Sequence, residues 1–113
     1  MSHPFKLGDI AVIGGIPGMI INISSEGVIT IQGRTIQRDA HWNRVRLATP
    51  SEKQWLASEV LNIIDEVNMD ITNIRGYQLP TQFIKTEEKR QSMIARLEGK
   101  IRDMRNLISK CRS

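Results

Sequence analysis

Four residues divide this chain into two kinds of sequence. Thr49-Pro50-Ser51-Glu52 sets threonine at a helix N-cap, proline at the first helical position and glutamate three residues after the threonine. The threonine hydroxyl can accept from the backbone N–H three residues on, while the glutamate accepts from the threonine N–H. Proline has no N–H to leave unpaired there. A helix is therefore expected to start at about residue 50. Before that point Ile, Val and Gly dominate, with turn residues every few positions. After it Gly and Pro become rare and the apolar spacing turns helical.

Downstream, Leu56, Val60, Ile63, Ile64, Val67, Ile71 and Ile74 recur at three- and four-residue steps and predict an amphipathic helix over about 50–75, ended by Gly76. A second helix is predicted over about 83–111. Glu87 and Glu88 suit its positive end, and Lys110 and Arg112 its negative end. Its Ile94, Leu97, Ile101, Met104, Ile108 and Cys111 follow a heptad-like rhythm. The short connection predicts an antiparallel hairpin over 49–113. The same seam could pair with another subunit, giving a homo-oligomer.

Upstream, residues 1–48 read as five short strands at about 8–13, 18–23, 27–32, 34–38 and 43–47. Ser24-Ser25-Glu26-Gly27 and Gly33 make turns. In the fifth strand Val45 and Leu47 are expected on one face, Arg44 and Arg46 on the other. Five such strands suit a small curved SH3-like barrel, with Ile21, Ile23, Ile29 and Ile31 inside. Ile13, Ile16, Ile20 and Val28 include the opposite parity and need a cover, which the helices can supply. Trp55 is expected to plug the barrel against the first helix. The fold class is thus α+β.

The net charge is +4, distributed as +2 over residues 1–50, −3 over 51–84 and +5 over 85–113. An acidic helix followed by a basic one predicts mutual attraction, or a basic tail for nucleic acid. The single Cys111 points to a reducing compartment, and no secretory signal or membrane-length apolar run is read, so a cytoplasmic protein is expected.

The stretch from Lys6-Leu7-Gly8-Asp9 through Gly14-Gly15-Ile16-Pro17-Gly18 to Ile23 resembles the KOW motif of small SH3-like barrels. That motif runs from Gly-Asp through an alternating strand and a glycine turn into a second strand. The resemblance implies a barrel that binds RNA, polymerase or another protein. The layout of compact barrel and helices also resembles small bacteriophage and prophage accessory proteins. Those often inhibit a host machine by binding it.

Candidate chemistry is sparse. His3 and His41 lie far apart, no Cys/His cluster has zinc spacing, and Asp65, Glu66 and Asp70 read as a solvated face. Cys111 reads as a seam residue, with Lys110 and Arg112 able to lower its pKa. Neither cofactor nor metal is expected, nor catalysis. The suggestive constellation is Arg34, Arg38, His41, Trp42, Arg44 and Arg46, where arginines could hold phosphates and Trp42 stack a base. The same types make protein-binding hot spots, and Trp42 could instead belong to the barrel core. Lys89, Arg90, Arg96, Lys100, Arg102 and Arg105 form a secondary basic surface. Two functions follow as expectations. One is a nucleic-acid or nucleoprotein-binding accessory protein. The other is a phage-type inhibitor that blocks a host defence or transcription complex.

Overall fold

The computed structural model describes residues 4–113, so His3 lies outside the described residues. Strands β1 (Ile10–Ile13), β2 (Ile16–Ile23), β3 (Val28–Gln32), β4 (Gln37–His41) and β5 (Arg46–Leu47) form one antiparallel sheet in the order β4-β3-β2-β1-β5. Helices α1 (Pro50–Gly76) and α2 (Glu87–Cys111) follow. The α+β class is as expected. The closed barrel is not reached by strand pairing, because β4 and β5 stand at opposite ends of the strand order.

Glycines at Gly14 and Gly15, with φ of 58° and 79°, form the two-residue turn that joins Ile13 to its partner Ile16. Both positions take the left-handed region, which glycine enters without strain and most other residues do not. Strand β2 therefore begins at Ile16 rather than residue 18. Further along, Met19 pairs with Gln32 and Ile20 with Ile31, but Asn22 pairs with Thr30. Ile21 is the extra residue of a β-bulge, which flips the parity of everything after it. Ile20 and Ile23 consequently both serve the inner face, and Ile21 is exposed rather than interior.

The fourth strand lies three residues later than predicted. The Gly33 amide donates to the Ile36 carbonyl at 2.8 Å, so residues 33–36 are a loop and pairing resumes at Gln37. The fifth strand keeps only two residues, because Trp42–Arg44 turn as a 3-10 helix. Val45 is buried as expected, whereas Leu47 is exposed.

Two apolar cores result. One lies within the curved sheet and joins Phe5, Ala11, Ile13, Ile20, Ile29, Ile31 and Val45. The other joins the hairpin to the sheet through Ile10 of β1, with Met19 and Ala48 packed against it. All four residues of β1 are buried, since the two cores flank it.

The threonine–glutamate capping box forms as read: Thr49 Oγ1 accepts from the Glu52 amide and Glu52 accepts from the Thr49 amide. In α2 the seam residues Ile94, Ile101, Ile108 and Cys111 are buried against α1, so the seam is used within the chain. This helix starts at Glu87 with Thr86 as N-cap, and Phe83 lies exposed in the preceding loop. The 27 residues of α1 span roughly 40 Å. Its N-terminal half and the C-terminal half of α2 carry the sheet, and the other end of the hairpin projects, giving extents of 56 × 29 × 21 Å. No helix among the described residues is long and apolar enough to cross a membrane.

Candidate functional site

The arginine–tryptophan constellation is divided by the fold. Arg34, in the loop before β4, donates to Glu59 of α1 at 3.0 Å. Arg46 donates to both carboxylate oxygens of Glu52, each at 2.7 Å. These two arginines are held by the acidic helix. Antiparallel partners share a face of the sheet. Arg38, opposite Ile31, therefore stands on one face of β4, and His41, opposite Val28, on the other. Arg38 lies on β4 and Arg46 on β5, which pairs with β1, so these two arginines are not on neighbouring strands of the sheet.

Trp42 is half-buried and packs against the core of the sheet. Its amide donates to the Gly27 carbonyl at 2.9 Å, and a Cβ on Gly27 would stand 2.8 Å from Trp42 Cδ1. The ring therefore covers the turn before β3, and Gly27 must be glycine both for this contact and for its φ of 85°. The His41 ring lies 5.6 Å from that of Trp42 and folds back on Asn43, Nδ1 standing 3.0 Å from Oδ1. Arg38 and Arg44 are exposed, and among the described residues neither is in an ion pair.

On the secondary basic surface, Arg90 is a structural residue. Its guanidinium donates to the Tyr77 carbonyl and pairs with Glu87 at 3.1 Å, tying α2 to the end of α1. Lys89, Arg96, Lys100, Arg102 and Arg105 are exposed. Trp55 corrects another expectation: it is half-exposed beside Gly15, Ile16 and Pro17, not a plug. Burial pushes the Cys111 thiol up, against the smaller opposing pull of Lys53 and Arg112. That is the environment of a packing residue rather than a nucleophile. Asp65, Glu66 and Asp70 do not assemble, and no metal-holding group of acids, His or Cys occurs among the described residues.

The bidentate Arg46 pair, followed by the Thr49 amide, holds the Glu52 carboxyl well below its ordinary 4.5, at about 2. The folded state thus favours the carboxylate. Its stabilisation is present above pH 4.5 and disappears as pH falls towards 2. Glu52→Gln should lower Tm at neutral pH, and the gap from wild type should close across that window. A gap independent of pH in thermal melts would show that the charge is not what matters.

The feature that sequence reasoning missed is a cleft of about 670 Å³ between sheet and hairpin. Met19, Ile21, Ile63, Val67 and Met104 supply apolar lining, and Arg34, Lys100 and Asp103 supply charge. The doublet Ile63-Ile64 carries its signal, for two adjacent apolar residues make a stripe wider than one helix partner can cover. Ile64 faces the other helix and is buried; Ile63 is half-buried in the cleft.

No family model, curated protein or solved structure matches the chain.

Proposed function

We propose that this is a non-enzymatic protein-binding module that blocks a host complex sterically, in the manner of a small phage accessory protein. The observation that carries the reading is the cleft. Its apolar lining, edged by charged side chains, offers surface to a protein. The strand order, with β5 beside β1 and a 3-10 turn between β4 and β5, supports treating the sheet as an SH3/KOW-like barrel that stays open. The lone buried cysteine fits a reducing cytoplasm.

Nucleic-acid or nucleoprotein binding is the second reading, favoured by Arg38 and Arg44, which flank Trp42 in sequence and stand exposed without a carboxylate partner. One experiment separates the two. Immobilised chain is incubated with bacterial lysate, with and without nuclease, over a salt series. The first reading expects retention of a defined protein that survives nuclease. Binding through phosphates would weaken log-linearly with salt. Retention lost on nuclease treatment and in the Arg38→Glu, Arg44→Glu double variant would replace the first reading with the second.

A further inference from the structure

The cleft leads onto an open side of the hairpin, and the charges along that side are sorted. Lys100 lines the cleft. Steps of four and seven residues put Arg96 and Lys89 on the same side of α2, further from the sheet. Met93, half-buried, sits between them. Among the described residues none of these three cations is in an ion pair. Across the hairpin, Ile63 and Val67 of α1 line the same cleft. Glu66 and Asp70, each three residues beyond one of them, continue that side of α1. The side therefore has an apolar floor of Ile63, Val67, Met93 and Met104, a basic edge on α2 and an acidic edge on α1. Asp103 is the acid that interrupts the basic edge.

This is the surface two helices of a bundle present to a third. Apolar positions form the seam, and flanking charges set the partner and its direction. A second copy stacked face to face, with its hairpin reversed end for end, would set acidic edge on acidic edge. The charges thus argue against that copy, and a copy turned about the hairpin's long axis, which would match the edges, would set the two sheet walls of the cleft against each other at one end. We propose that the cleft and the hairpin side leading from it dock a single amphipathic helix of the protein partner, its apolar stripe flanked by acids on the α2 side and by bases on the α1 side. Reversing such a helix would put both flanks against like charge, so the charge pattern also fixes its direction. The proposal rests on the protein-binding reading and names the partner's chemistry.

The test uses the full chain and three labelled synthetic helices of identical Leu seam. One has Glu on one flank and Lys on the other, one Glu on both, and one Lys on both. Fluorescence anisotropy should show the polarised helix binding about tenfold tighter than either uniform one. The triple variant Lys89→Glu, Arg96→Glu, Lys100→Glu should lose about tenfold for the polarised helix and gain for the all-Lys one. The changed residues are exposed, and circular dichroism checks that the variant stays folded. Equal affinity for all three helices, no exchange of preference in the variant, or no binding at about 1 mM helix would overturn the proposal. If nuclease-resistant capture from lysate persists unchanged in the triple variant, the docking surface lies elsewhere while the protein-binding reading stands. If that capture is absent from wild type, the reading itself fails.

Discussion

Ile101→Asp should unfold the helical hairpin. Ile101 is 5 % exposed and sits midway along α2 in the core shared with Leu56, Val60 and Ile64 of α1. An aspartate there loses the isoleucine's burial and gains either an unpaired charge or a protonated acid without a partner. The two losses together cost at least about 4 kcal/mol. A chain of this size holds only about 5–15 kcal/mol in total. Ile101→Val removes one methylene and should cost about 1 kcal/mol. Because Ile10 of β1 belongs to the same core, the damage should reach the sheet, whose fewer than fifty residues are too few to stand alone securely. Thermal melts followed at helical and near-ultraviolet wavelengths should therefore coincide and move down together. An aspartate variant that keeps the wild-type Tm would mean that α2 does not pack as described.

The sequence disclosed the parts of this fold that are local. Thr49, Pro50 and Glu52 lie within four residues of one another, so the capping box and the helix start at Pro50 are legible directly. The heptad rhythm from Ile94 to Cys111 was likewise legible, because a helix turns the spacing into a face. What escaped depended on events far along the chain or on one unpaired residue. The bulge at Ile21 leaves no mark in an all-apolar run, yet it moves Ile20 and Ile23 onto one face. Arg34 meets Glu59 across 25 residues, and only the packing of α1 on the sheet brings them together. Arg34 and Arg46 of the candidate site are both matched by acids of α1, and a cluster of cations in sequence says nothing about which will be matched by acids from another element. The cleft is half-legible: Ile63 and Val67 read as apolar helix positions, but their spacing does not separate the side they line from the side that meets α2.

Glycines supply the second large effect, and they look alike in sequence. Gly14, Gly15 and Gly18 fall within five residues, yet they are glycine for different reasons. At Gly14 and Gly15 the backbone is left-handed and the space beyond is empty. Asparagine tolerates that conformation, so Gly14→Asn should be close to neutral. At Gly18 the backbone is ordinary strand and the space is full. A Cβ there would stand 2.7 Å from the Gln32 carbonyl oxygen and 2.9 Å from the Gly33 amide nitrogen. Both are backbone atoms, which cannot rotate aside as a side chain would. Gly18→Val must push β2 away from the β3 end and the loop that follows it, at a cost of about 3 kcal/mol. Gln32 and Gly33 also line the cleft, so the shift should open its sheet wall. Helix binding in the anisotropy assay should then fall in Gly18→Ala, a milder variant expected to remain folded, while Gly14→Asn binds as wild type. If Gly18→Val melts with wild type, the close approach of β2 to Gln32 is wrong. If Gly18→Ala is destabilised but binds the polarised helix unchanged, the sheet wall takes no part in docking.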